Sequence, residues 1–358
     1  MSAGRKRLED ALQVGKEIEN SQNNGSTPVA AHGLPKVSSI KDLDFGDIMG
    51  VFSVHLSQNA QFLAAGCGNG AVQVYSMESG KKRRPLKHGS LYGLPVTTVK
   101  FLPYKDDKLM STSSDGTITC WDLNGWCPLR TVDEIQNEIS ALDFSHDGRI
   151  FATAGKDRNV RVYDTETMQM KILFAGAEIT ERAVDLDVVK PESGHGRKVF
   201  GLKFHPFDDN VFLTGGWDRC LKIWDVRVDQ VVRSINGPYI CGDGIDIFQD
   251  DILTASWLNQ NALQVWDYTS GKLIEDIPFP CHEHGEFLYV GRFLWKEVVI
   301  AGGSGTNDVK IISRNPYKVI DSIDDEGKPI QALDVLTGAQ LIALGGTGTH
   351  VKLVSLST

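Results

Sequence analysis

Cys281, His282, His284 and Glu286, gathered in the run PCHEHGE, are four groups competent to bind a metal. A closed zinc site needs a second cluster at matching spacing; the sequence offers none, so neither a metal nor any other cofactor is expected. Three glycine-rich stretches, GCGNG (66–70), GGSGT (302–306) and GGTGT (345–349), have the composition of phosphate loops. Each runs into a strand pattern instead of a helix, so the amide-rich helix start that cradles phosphate is missing. No Gly-x-Ser-x-Gly elbow and no paired carboxylates break the local pattern. The chain is therefore read as non-catalytic, without a small-molecule substrate. What remains is the chemistry of recognition, and Trp217 and Trp257 are its first candidates. An indole combines a large apolar area with a single donor and is enriched at interface centres.

The elements that position these tryptophans recur. FLTGGWDRCLKIWDVR (212–227) is repeated as LMSTSSDGTITCWDL (109–123), IFATAGKDRNVRVYDT (150–165) and ILTASWLNQNALQVWDY (252–268), with weaker copies at 62–76, 298–313 and 341–355. Tyr75, Trp121, Tyr163, Trp224, Trp266, Ile312 and Val354 mark the same position in each, at intervals of 46, 42, 61, 42, 46 and 42 residues. In every copy an alternating apolar strand, such as VTTVKF, ISALDF, VFGLKF or IQALDV, precedes a strand of small residues. A tight turn built on Asp-Gly, Asp-Arg or Asn-Gly leads to a third strand, and a fourth follows. Most intervals fit one four-stranded propeller blade.

On these residues the sequence resembles the WD-repeat β-propeller family over roughly 38–358, best in the second to fifth copies. The resemblance implies an all-β fold of seven blades, with six or eight as the neighbouring counts. It implies that Trp121, Trp224 and Trp266 pack inside their blades, and that Asp115, Asp157 and Asp218 tie the turns by hydrogen bonds. Gly194-His195 resembles the family's Gly-His dipeptide, with His195 as partner of Asp218. The third strand of the last copy leaves that blade one strand short. Residues 37–45, VSSIKDLDF, have strand character and are expected to complete it, leaving no long free edge. The expected division is residues 1–36 as a short helix and linker, and 37–358 as the propeller. The helix places Leu8, Leu12 and Ile18 near one face, an arrangement also found ahead of the propeller in G-protein β subunits.

With 41% hydrophobic residues in 358, the chain can bury a substantial core, and its net charge of −9 disfavours broad nucleic-acid binding. The six cysteines, Cys67, Cys120, Cys127, Cys220, Cys241 and Cys281, form no CxxC pair and read as reduced thiols. With no apolar leader or membrane-length run, a cytoplasmic or nuclear, membrane-free setting is expected.

A four-stranded meander brings the turn between second and third strands to the same face as the connection entering a blade. Trp217 and Trp257 stand there, where other copies have Ser114 or Lys156. Either each ring folds over its own loop, or the two form a binding hot spot with Arg158 and Arg219 alongside. The insertion of about 19 residues before His195, carrying Glu178, Glu181, Asp185 and Asp187, leaves on the same face. On the opposite face, Trp224-Asp225-Val226-Arg227 resembles the box of WD-repeat substrate receptors of cullin-RING ubiquitin ligases, which implies adaptor docking through Asp225 and Arg227; a salt-bridged surface arginine is the plainer alternative. The basic run GKKRRPLKH (80–88) reads as a solvated loop, with a nuclear localisation signal or a patch for an acidic partner as the alternatives. The function expected is a scaffold or adaptor for proteins or peptides in a multi-subunit complex. Ligase receptor, G-protein-β-like subunit and metal-dependent propeller hydrolase are the alternatives.

Overall fold

The structure is a computed structural model and describes residues 35–46, 48–87, 93–177, 194–281 and 283–357. The expected N-terminal helix, the four acidic residues of the insertion and His282 lie outside the described residues. Seven antiparallel sheets follow one another around a ring. Blade 4 shows the plan, a meander of Val199–Phe204, Val211–Gly216, Cys220–Asp225 and Val231–Asn236. The other first strands are Val51–Leu56, Val96–Leu102, Ile139–Phe144, Ile245–Phe248, Leu288–Trp295 and Ile330–Leu336. Helix among the described residues is confined to one turn, Thr337–Ala339, and no helix there is long and apolar enough to cross a membrane.

Blade 7 is completed by Lys36–Asp44, which runs antiparallel to His350–Ser357 with Lys36 opposite Ser357 and Asp44 opposite His350. The closing strand thus begins and ends one residue earlier than the sequence pattern suggests. The basic run differs from its expectation as a loop. Lys81–Lys82 and Leu86–Lys87 both pair with Ala71–Ser76, so the run is the outer strand of blade 1, broken between its two halves around Pro85.

No single central core exists. The buried apolar residues fall into clusters, each lying between two neighbouring blades. Leu43, Val51, Val351 and Leu353, for instance, join blade 7 to blade 1. The ring is stable because every blade buries both faces against neighbours.

Two features of the first strands shape the channel they surround. In six blades the strand register slips immediately after its first residue, leaving Phe52, Thr97, Ser140, Phe200, Tyr289 and Gln331 as bulges. A bulge re-aims its side chain out of the pleat, and all six line the channel mouth. Further along the first strands of all seven blades come His55, Lys100, Asp143, Lys203, Asp246, Arg292 and Asp334. Lys100 meets Asp143 and Lys203 meets Asp246, each at 3.1 Å. The acceptors stitch blades together: Phe101 N–H donates to His55 Nδ1 (3.1 Å), Phe204 N–H to Asp143 (2.8 Å), Phe293 N–H to Asp246 (2.9 Å) and Leu56 N–H to Asp334 (2.7 Å).

Candidate functional site

One backbone hydrogen bond fixes the connection face in all seven blades. A turn residue directly after each second strand, or one further on in blade 5, donates to the connection entering that blade: Gly68 to Gly50, Ser114 to Pro95, Lys156 to Glu138, Trp217 to Lys198, Trp257 to Tyr239, Ser304 to Phe287 and Thr347 to Pro329. A Cβ at Gly216 would collide with the Lys198 carbonyl, which is why a small residue precedes Trp217. With the backbone held alike seven times, the side chain at this position is free to vary, and only blades 4 and 5 place an indole there.

Both rings fold down: Trp217 over the first strand of its own blade and the connection into blade 5, Trp257 over the connection into blade 6. Trp217 tilts against Phe200 at 4.9 Å between ring centres, and its Nε1 donates to Cys241 Sγ at 3.2 Å. Burial pushes the Cys241 thiol up to about 11, keeping it a neutral partner. Trp257 tilts against Phe287, also at 4.9 Å. They nevertheless remain 43% and 38% exposed.

Arg158 and Arg219 occupy turn positions with φ of 72° and 57°, where blades 1 and 2 carry Gly70 (77°) and Gly116 (90°). Left-handed backbone costs a non-glycine residue roughly 1–2 kcal/mol, so neither arginine is there for the turn's sake. Arg158 Nη1 donates to the Ala177 carbonyl at 3.2 Å, and the Arg219 guanidinium lies 5.2 Å from the centre of the Tyr239 ring. Nearby, Lys156 and Lys198 both grip Glu138, the latter at 3.2 Å. The hydrogen bond from Lys156 holds the Glu138 carboxyl below the usual range.

The turn aspartates act mainly on their own turns. Asp115 Oδ1 accepts from Thr117 N–H at 3.0 Å and Asp157 Oδ1 from Asn159 N–H at 3.1 Å. Blade 4 adds a longer chain: Asp218 Oδ2 lies 2.8 Å from His195 Nδ1, His195 Nε2 lies 2.6 Å from Thr214 Oγ1, and Trp224 Nε1 donates to that hydroxyl at 2.6 Å. Burial alone would raise the Asp218 carboxyl; the bonds from His195 and Gly196 N–H overcome it and hold the carboxyl below the ordinary range. Trp121 and Trp266 make the corresponding bond to Ser111 (2.8 Å) and Thr254 (3.0 Å). All three rings are buried.

The family profile described as "WD domain, G-beta repeat" matches residues 86–122, 126–164 and 188–225. The chain carries WD40 repeats. Among relatives of this WD40 propeller is the U3 small nucleolar RNA-associated protein 21 homolog of Schizosaccharomyces pombe, 25% identical over 63% of this chain and 22% of its own length. Nuclear distribution protein nudF of Aspergillus niger is 24% identical over 70% and 53%, respectively. Cell division cycle 20.1, cofactor of APC complex, of Arabidopsis thaliana is 24% identical over 62% and 45%. The WD40 chain thus spans about half or less of the length of these curated relatives.

Within the WD40 blades, the sequence reading missed the residue that replaces His195 in blade 3. Glu134 takes its place in blade 3, accepting from Tyr163 OH at 2.9 Å, from Arg161 at 3.0 Å and from the Thr153 hydroxyl. Glu286, on the connection into blade 6, reaches back to the turn of blade 5, accepting from Ala262 N–H at 2.5 Å, which gives one member of the Cys-His-Glu cluster a structural partner. Among the described residues no group of three or more metal-competent side chains converges. The signal for Glu134 was the tyrosine hydroxyl standing where the other strong copies have tryptophan.

On the opposite face, Arg227 is pinned by two carboxylates. Its Nε and Nη2 each donate to Asp225 at 2.8 Å, and Nη2 reaches Asp208 at 3.1 Å. Asp225 is buried, while the Arg227 side chain stays 39% exposed. This pair and the two surface tryptophans therefore lie on different faces and do not form one site.

Proposed function

We propose that this WD40 propeller is a non-catalytic scaffold or adaptor that holds partner proteins or peptides in a multi-subunit complex, with the connection face of blades 3–5 as its main contact surface. One observation carries the reading: two indoles sit at equivalent, backbone-locked turns and remain about two-fifths exposed after packing on Phe200 and Phe287. A preordered aromatic pair loses little conformational freedom when a partner covers it. The printed names of relatives support the class, one being called a cofactor of a complex and others named for nuclear distribution and nucleolar RNA association. These names favour a nuclear or cytoplasmic setting.

Replacing Trp217 and Trp257 together by Ala is expected to leave the melting transition nearly unchanged and to remove most partners co-purified from native cells. A folded double variant with the same partners would reject this face.

The docking role of Asp225 and Arg227 is a second reading. It is favoured by a guanidinium held rigidly at the surface by two carboxylates. Arg227→Ala is expected to lose a ligase adaptor subunit from purified complexes; an unchanged composition would reject it.

A further inference from the structure

We infer that the channel mouth on the connection face receives an acidic peptide segment, with one aromatic or large aliphatic side chain entering the channel and neighbouring carboxylates lying over blades 3 and 4. This deepens the scaffold reading and rests on it.

The mouth encloses a cavity of about 290 Å³. An apolar cavity of about 150 Å³ already accepts benzene, so one large side chain fits. Three of the six bulged residues at its rim are aromatic, Phe52, Phe200 and Tyr289, and Phe52 is 39% exposed. Phe200 and Tyr289 also pack against the apolar clusters between blades 4 and 5 and between blades 6 and 7, whereas Phe52 belongs to none of those clusters and is committed to the channel mouth alone. Phe200 also carries the Trp217 ring, so the cavity and the surface indole form one continuous apolar path.

The charge of the guest follows from what surrounds the path. Lys156, Arg158, Arg197, Lys198 and Arg219 stand on the turns and connections of blades 3 and 4. Among the described residues, carboxylates of the same sector are already engaged: Glu138 by Lys156 and Lys198, Asp157 by Arg161, and Asp218 by His195. Among the described residues of this sector, Arg158, Arg197 and Arg219 carry positive charge outside these ion pairs, which steers acidic partners.

A cationic guest, the other natural occupant of an aromatic pocket, is disfavoured by two contacts. Lys198 Nζ already lies 4.9 Å from the centre of the Phe200 ring. Asp243, the carboxylate of the lining, is held by the buried Arg292 guanidinium. A second cation would meet a lysine and a neutralised carboxylate.

The test uses the full chain and fluorescein-labelled synthetic probes read by anisotropy: a short peptide of one phenylalanine flanked by aspartates, the same peptide with alanine for phenylalanine, a lysine-flanked version, and oligouridine RNA. The acidic phenylalanine peptide is expected to bind, the alanine version about tenfold more weakly, and rising salt to weaken both. Arg219→Gly restores the residue that left-handed turns favour, so it is expected to keep or raise the melting temperature while weakening the acidic peptide several-fold. Phe52→Ala is expected to weaken the phenylalanine peptide and to leave the alanine version unchanged. Equal or tighter binding of the lysine-flanked peptide, displacement by oligouridine, indifference to the phenylalanine, or no binding of the acidic peptide would each overturn the inference. If the acidic peptide fails while the Trp217/Trp257 variant still loses its cellular partners, the scaffold reading stands and only the guest chemistry falls.

Discussion

Thr214 accepts from Trp224 and contacts His195, and neither ring can turn to water because both are buried. Thr214→Val keeps the shape and removes both partners, so two buried polar groups lose a hydrogen bond. That is expected to cost about 2–4 kcal/mol, measured as a lower urea midpoint with unchanged slope. The pairing of His195 with Asp218 was legible because a Gly-His dipeptide and a turn aspartate appear at fixed places in the repeat. Glu134 was not, because its partners Thr153, Arg161 and Tyr163 come from two other strands, and no short-range pattern announces a carboxylate that replaces an imidazole. Arg158 and Arg219 were legible as turn residues, yet the left-handed backbone that makes them costly appears only in three dimensions.

The closing strand carries the element-scale consequence. Lys36–Asp44 supplies the fourth strand of blade 7 and, through Leu43, part of the apolar contact between blades 7 and 1. Leu43→Ala leaves a void in the apolar cluster between blades 7 and 1, and is expected to cost about 2–4 kcal/mol. Thermal unfolding should show it as a lower midpoint, with earlier exchange of amides in His350–Ser357 than elsewhere. Strand order, the seven-fold repeat and the latch were all readable, because alternation and turn residues are local signals. The bulges at Phe52, Phe200 and Tyr289 were not, since a register slip depends on the partner strand and leaves the apolar pattern intact. The basic run was read as a loop because charge masked a strand broken around Pro85.

At the scale of the whole molecule, an odd number of blades cannot carry a fully alternating ring of charge. Lys100, Asp143, Lys203, Asp246, Arg292 and Asp334 alternate in sign around the channel, and the seventh place, between Asp334 and Lys100, is taken by His55. Burial lowers its pKa from 6.5 to about 4; Lys100 and Lys203 add to the shift, while Asp334 and Asp143 oppose it. A neutral ring also leaves Nδ1 free to accept from Phe101 N–H. Between these two values the unfolded chain binds the proton and the folded one does not, so stability falls as pH drops from 6.5 toward 4, by about 3 kcal/mol in all. His55→Asn is expected to flatten that part of the melting-temperature profile. The channel that this ring closes and the face above it define where partners meet the wheel. Hydrogen–deuterium exchange of the full chain, alone and saturated with a partner captured from native cells, tests that assignment most directly. The account predicts protection at 217–219, 239–244 and 287–290; protection confined to 205–210 and 226–230, with the connection face unchanged, would contradict it.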